Sequence, residues 1–453
     1  MLKFPISHSL RSSILSILQR FSITIFGFLN FMMLARHLSK KQIGIWALFT
    51  IIITTFELSK SSLLKAAHIR LVTTASEIDQ KNKISWSSLT INGMLSILFI
   101  AFIYTFSNKI SYWLNSANEL SELFFLYIPG LAAMVFFSHY EAVLSSFIDF
   151  KSLFIGSICR QISFTLPILY YFVFKIPLPL EKLVLFNVFS NAIGALSLFI
   201  LSYKHLSFSF QTTRAGIKKI FNFGSYVFGS GVVSNIFSNM DQILTSRYLN
   251  PISVSYYNTA TRISGFVEIP SFAVADVMFP KMSKISADDD QEKIVRVFER
   301  TVALLLSLII PIVIGVMVFA KFFITLIAGA SFENSTMILQ IYVACSVLGI
   351  IQNQSANTLT SIGKSKICFL MNSMSVIIKL AIIYFFLKYF GFYGAAFGTI
   401  AITIINFIIW QIIMKRYVNI NFKNIFSQIL SFYKQAYFTV TAAIFKKDKL
   451  TTP

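Results

Sequence analysis

The chain alternates long apolar stretches with short polar clusters. A lipid hydrocarbon core is crossed by about 20 helical residues, and twelve stretches reach or approach that length: 13–35, 43–64, 85–107, 122–146, 153–174, 181–203, 224–248, 253–280, 299–320, 335–358, 366–388 and 393–414. Clusters such as HLSKKQ at 37–42 and DDDQEK at 288–293 separate them, while Gly265 and Pro270 interrupt the eighth. Such segments must satisfy their backbone groups internally once water is gone, and helices do this locally. The pattern predicts an all-α polytopic membrane protein of about 12 transmembrane helices.

The polar segments carry the orientation. With the N-terminus placed in the cytoplasm, 26 lysines and arginines fall on the cytoplasmic side and nine on the other. The larger group includes Lys60, Lys65, Arg70, Lys81, Lys218, Lys364 and the basic residues of the tail. Positive residues are retained inside, so both termini are expected in the cytoplasm and the first span is expected to remain as an uncleaved anchor. Residues 422–437 differ from the rest. Phe422, Ile425, Phe426, Ile429, Leu430, Tyr433 and Tyr437 recur at helical spacing, with Lys423, Gln428 and Lys434 opposite. This reads as an amphipathic helix on the cytoplasmic leaflet, with a thirteenth span as the alternative.

The two halves match each other weakly. At an offset of 211, LARHLSKKQIGIW (34–46) meets TSRYLNPISVSYY (245–257), pairing Arg36 with Arg247, Ser39 with Asn250 and Trp46 with Tyr257. At an offset of 214, LPILYYFVF (166–174) meets LAIIYFFLK (380–388). Nearly equal offsets at distant places indicate a duplication of six spans. The expected organisation is two pseudo-symmetric six-helix bundles, residues 1–211 and 212–418, followed by a cytoplasmic amphipathic tail at 419–453. Because six is even, both halves enter the membrane from the same side, which is one of the known transporter plans, with the substrate path between the bundles.

Charged groups within spans cost free energy and need a reason. They are Arg20, Glu57, His139, Glu141, Arg160, Asp241, Arg262, Glu268, Asp276 and Lys379. Arg262 shares a helical face with Ser255 and Asn258, and Lys379 with Asn372 and Ser375. In the seventh span Asn235, Asn239 and Gln242 continue a polar stripe from Gly231, and Asp241 lies on a second stripe beside it. A helix that polar lines a wet cavity or another helix. One reading is a cationic cavity built on Arg262, Lys379, Arg20 and Arg160 for an anionic headgroup, since the planar guanidinium fork matches phosphate oxygens. The other is structural pairing, in which Glu57 and Glu268 neutralise Arg20 and Arg262; ion coupling through Asp241, Glu57 or Glu268 stands beside it.

Composition narrows the function classes. Of 453 residues, 56% are hydrophobic and 13% charged, with a mean hydropathy of +0.72, against about a quarter charged in soluble domains. The net charge of +21 is accounted for by membrane topology and does not call for nucleic acid. Cys159, Cys345 and Cys368 lie in apolar stretches without metal or redox spacing, so no metal and no cofactor is expected. A polymerase or ligase of surface glycans would need a large outer loop with an acid/base pair, and the longest such loop, 108–121, offers none with His. No enzyme activity is expected.

LARHLSKKQIGIWALF (34–49) resembles the start of the polysaccharide biosynthesis and export proteins, where an Arg and a Leu precede a loop and a Gly-aromatic pair. NMDQILTSRYLNPISVSYYNTATRI (239–263) is similar to that family's seventh-to-eighth span signature, and VMFPKMSKI (277–285) to its proline-containing exit from the eighth. SIGKSK (361–366) and YGAAFGTI (393–400) resemble its later segments. The resemblance implies the multidrug/oligosaccharidyl-lipid/polysaccharide exporter fold. It also implies a flippase of O-antigen type, moving undecaprenyl-diphosphate-linked oligosaccharide by alternating access in the bacterial cytoplasmic (inner) membrane. Membrane lipid, a polysaccharide polymerase and glycosyltransferases would be its partners, and Na+ or H+ its coupling ion. By the same resemblance, Arg262 lies in the span that carries a functionally important Arg in lipid II flippases, and Asp241 at a position implicated there in cation coupling. Ile45-Trp46 departs from the family's usual pair, and the two extra spans of lipid II flippases are missing. A cation-coupled drug or toxin extruder of the same superfamily is the alternative; it would show acidic groups in the cavity with few cations.

Overall fold

The computed structural model describes residues 8–75, 77–205, 212–287, 291–418 and 420–448. Among them every regular element is helical. The α-helices are α1 (His8–His37), α2 (Lys40–Thr74), α3 (Ile78–Trp113), α4 (Glu119–Leu126), α5 (Ile128–Ser146), α6 (Phe150–Val173), α7 (Leu180–Ser202), α8 (Arg214–Tyr248), α9 (Pro251–Ala287), α10 (Gln291–Val318), α11 (Ala320–Ala328), α12 (Ser335–Ser361), α13 (Ser365–Phe390), α14 (Gly394–Tyr417) and α15 (Phe422–Asp448). Nine stretches among the described residues are long and apolar enough to cross a membrane, the last of which, Lys366–Tyr417, takes in α13 and α14. The protein is a multi-pass membrane protein. Its surface agrees, since Ile97, Leu98, Tyr104, Phe189, Val318 and Ile377 are all well exposed, an arrangement that suits lipid and not water.

Local chemistry explains the helix starts. Ser39 caps α2: its hydroxyl accepts the Gln42 backbone N–H at 3.3 Å, while the Gln42 side-chain oxygen Oε1 accepts the Ser39 N–H at 3.0 Å. This reciprocal box satisfies two backbone donors left over at the first turn. Asn250 does the same work for α9, accepting the Ser253 N–H at 2.9 Å, with Pro251 in the first helical position. Ser39 and Asn250 are the residues that the 211-residue offset pairs, so the repeat aligns two capping positions. Asp149 and Thr213 cap α6 and α8 by accepting from Ser152 and Gly216.

The structure revises several expected boundaries. The fourth span divides at Tyr127 into α4 and α5, because Pro129 sits in the first turn of α5 and has no N–H to donate. The ninth begins eight residues earlier than expected, at Gln291, and is followed by the separate short helix α11. The eighth is continuous through Gly265 and Pro270. The second is 35 residues long, so Lys60 and Lys65, counted above among the loop charges, lie on the helix; Lys60 is completely buried.

Two compact units divide the chain, Met1–Ser255 and Tyr256–Pro453. In the first, α2 packs on α8, α5 on α7, and α6 on both α7 and α1. Thus α8, which the repeat assigns to the second half, is built against α2. Just past the end of α8, at the first residue of α9, the chain also abuts α2: a Cβ on Gly44 would lie 1.7 Å from the Pro251 carbonyl oxygen. The same, C-terminal end of α8 is held by Asn115, whose side-chain amide donates to the carbonyls of Ser246 at 3.0 Å and Arg247 at 2.7 Å. In the second unit α12 and α13 pack on α14, and α10 on α12 and α15. Its core joins Phe298, Val302 and Trp410 with Ile425 and Ile429 of α15. The tail is therefore a single helix with one edge in the core, while Phe422, Phe426 and Leu430 remain exposed.

Candidate functional site

In the first unit the buried charges gather where α2 meets α3, α5 and α6. Lys60 donates to the Glu57 carboxylate and to the Ser96 hydroxyl, both at 2.9 Å. This i,i+3 pair lies deep in the helix packing, with Glu57 itself buried. One turn beyond, Lys65 reaches across to Glu141 of α5 at 2.8 Å. Arg160 of α6 lays its guanidinium on the Phe137 ring, 4.4 Å from the centroid, a cation–π contact that strengthens as water is removed. Gly194 of α7 makes room for the Arg160 stem, since a Cβ there would meet its Cβ at 2.9 Å.

The pairing differs from the expected one. Glu57 is bound by Lys60 and also lies within the field of Arg160; it forms no ion pair with Arg20, which is exposed on α1. Removing one member of a buried pair strands the other, at a cost of about 3–5 kcal/mol. The Glu57–Lys60 pair is thus a structural commitment of this unit. Sequence reading missed Lys60 and Lys65 as members. The available signal was the Glu57/Lys60 spacing itself, which places the two on neighbouring turns of one face.

On α8 two members of the polar stripe bond back to their own helix. The Asn235 amide donates to the Gly231 carbonyl and the Asn239 amide to the Asn235 carbonyl, both at 2.9 Å along the same helix. Asp241 and Gln242 are buried. Ser246 donates to the Leu114 carbonyl, which closes the end of the stripe against the α3–α4 connection.

In the second unit Arg262 stands out. It is exposed, as are Gly265 and Phe266, whereas Ser255 and Asn258, expected on its face, are packed. Arg262 lies about 16 Å along α9 from its start, roughly half a hydrocarbon thickness. It forms no ion pair with Glu268, which is half-buried; six residues apart, the two lie about 120° apart around the helix. Lys379 is buried on α13, and its neighbour Ser375 donates to the Asn406 side chain of α14 at 2.9 Å. The Asp276 side chain lies outside the described residues. An open cleft of about 400 Å³ runs between α10, α12 and α14, lined by Met317, Met337, Ile341, Leu348 and Ile404 with Gln340 and Thr403 as its polar members. No charged side chain lines it, so it suits a hydrocarbon better than an anion.

The polysaccharide biosynthesis protein family matches residues 33–337, which takes in α2 through α11 and both capped turns. The chain belongs to that family. Among relatives, it is 25% identical over 221 residues to a probable low-salt glycan biosynthesis flippase, Agl15, of Haloferax volcanii, covering 49% of this chain and 46% of that one. A membrane protein encoded in the cps region of Klebsiella pneumoniae is 24% identical over 407 residues, 88% of this chain and 80% of the other. A putative O-antigen transporter of Shigella flexneri is 22% identical over 180 residues, 40% and 42% of the two chains. The match therefore spans less than half the length of the Haloferax and Shigella proteins. In fold, the chain is like the lipid II flippase MurJ in an inward closed conformation, with a TM-score of 0.75 at 16% identity over 92% of this chain and 90% of that one. It is equally like an inward-facing multidrug resistance MATE family transporter of the MOP superfamily, with a TM-score of 0.76 at 13% identity over 87% and 95%.

Proposed function

We propose that the protein is a flippase that moves an oligosaccharide linked to undecaprenyl diphosphate across the bacterial cytoplasmic membrane. The observation that carries this reading is Arg262, an exposed residue about 16 Å along α9 in a chain of the polysaccharide biosynthesis family. A cation there is costly against lipid, so its face is wet, and its fork can take two oxygens of a diphosphate. Family membership and the names of the Haloferax and Shigella relatives point to the same class of cargo.

The finer picture belongs to the same proposal. It has twelve spans in two six-helix bundles, both termini in the cytoplasm, alternating access, and coupling to Na+ or H+. Lys379, Arg20 and Arg160 would assist Arg262 in states that open their surroundings, with Asn235, Asn239 and Gln242 lining the path and Asp241, Glu57 or Glu268 serving coupling. Transport without catalysis is proposed, in a pathway with glycosyltransferases and a polymerase. The fold likeness to MATE transporters supports a second reading, drug extrusion, against which stands the cationic character of Arg262.

Deleting the gene in its host tests the proposal. Lipid-linked repeat units should accumulate on the inner leaflet and surface polysaccharide should fall; normal polymerised glycan in a strain without a second flippase would overturn it.

A further inference from the structure

Where α2, α3 and α5 meet in the first unit, four buried polar atoms lack a protein partner. They are both ring nitrogens of His68, Nδ1 of His139 and Oδ1 of Asn92. His68 is completely enclosed, and His139 and Asn92 nearly so. The two imidazoles meet edge to face, with centroids 5.9 Å apart and planes at 80°, so neither ring hydrogen-bonds the other. The Asn92 amide is committed on its donor side, to the Val135 carbonyl at 3.0 Å and the Ser138 hydroxyl at 2.9 Å. Its oxygen is left as an acceptor, and Ser138, which the amide holds, directly precedes His139 in the chain.

A neutral imidazole offers one donor and one acceptor, and an imidazolium two donors. Buried groups of this kind are nearly always satisfied by protein or ordered water. The vacant positions here are both donors and acceptors, which fits water and an excess proton. A metal ion fits poorly, because no group of three His, Cys, Asp or Glu side chains assembles among the described residues.

The surrounding charges are already engaged. On α2, Lys65 is held by Glu141 of α5, and Lys60, two turns from His68, is held by Glu57. On α5, the Tyr140 ring meets His139 at 5.4 Å. From α6, Arg160 lies on Phe137. The buried face of α3 brings only Asn92 and neutral serines, α7 has charges only at Glu181 and Lys182 near its start, and α8 brings Arg214 and Lys218 near its own. Both carboxylates here are engaged by lysines, and the imidazole nitrogens are the unpartnered proton acceptors at this junction. At this separation two positive rings repel strongly, so the pair titrates as one site.

We propose that this junction is a proton-binding site, in which His68 and His139 share a single excess proton through buried water accepted by Asn92. The proton comes from hydronium in the bulk and leaves water behind; no electron moves. The further role, as the carrier of a coupling proton, rests on the transporter reading, whereas occupancy of the site does not.

The test uses the full chain in lipid nanodiscs with ¹⁵N-labelled histidine. There are only five histidines, and His68→Asn and His139→Asn assign the two signals. The expected result is one proton taken up by the pair as pH falls below the ordinary imidazole range, with His139→Asn moving the midpoint of His68. Two rings that stay neutral at every pH at which the protein is folded, or that titrate independently, would overturn the site; the wild-type titration alone decides this if a variant fails to accumulate. In vesicles, transport by the double variant should lose its dependence on a pH gradient. Wild-type pH dependence in that variant would overturn the coupling role and leave the NMR result standing.

Discussion

The buried carboxylate of Glu299 in α10 accepts the backbone N–H of Asn421 at 2.8 Å, and its second oxygen takes the Asn424 side-chain amide at 3.1 Å. One acidic side chain thus fixes the first turn of α15, where free N–H groups and the helix dipole both favour a negative charge. Glu299→Ala should cost about 3 kcal/mol, as two hydrogen bonds to a charged group are lost. Hydrogen exchange over 422–435 should accelerate while exchange in α12 and α14 stays as it was.

Arg262→Ala should abolish transport with the protein still inserted at normal abundance, and Arg262→Lys should be partly active because charge survives without the planar fork. Since Arg262 and Glu268 are not paired, adding Glu268→Gln to Arg262→Ala should restore nothing. Transport assays with immunoblots of the membrane fraction check both, and a rescued double variant would remove Arg262 from the site.

Glu57 and Lys60 should behave in the opposite way. Glu57→Gln strands a buried ammonium and should lower folded abundance, at roughly 3–5 kcal/mol. Replacing both with leucine should recover abundance, because well-packed apolar pairs often substitute for buried ion pairs at no loss. Thermal-shift midpoints in detergent would read the difference.

Gly44→Ala places a methyl group inside the van der Waals radius of the Pro251 carbonyl oxygen. Backbone cannot yield as a side chain does, so α2 and the start of α9 must separate, costing at least the ~1–3 kcal/mol of ordinary overpacking. Abundance should fall sharply, whereas Gly27→Ala, with open space at its Cβ, should be neutral.

Reporters fused after Lys81, Lys218, Ala287 and Lys434 should all face the cytoplasm, following the excess of basic residues. A single reporter on the other side would break the twelve-span topology at that point.

Most of the helices were legible in sequence because apolar length is a direct signal of a lipid solvent. Residues 65–74 were not, because bilayer thickness limits only the part of a helix that touches lipid, and α2 continues past it. Lys60, Lys65 and His68 therefore looked like the edge of a loop, although packing encloses them. The Asn115 clasp on α8 and the Glu299 anchor of α15 were hidden for another reason. Each joins residues more than 100 positions apart, and nothing local marks them. Arg160 was visible as an intramembrane charge, but its partner proved to be an aromatic face, which charge counting does not search for.

The length of α2 has a mechanical consequence. At 35 residues and 1.5 Å per residue it is a rod of about 52 Å. Lys60 and Lys65 tie its other half to α3 and α5, so any tilt of α2 carries those helices with it. A tilt of about 10° pivoting at Gly44 would displace Thr74 by about 8 Å, more than a full helical pitch. A small rotation at one face of the membrane would thus be read out as a large stroke at the other.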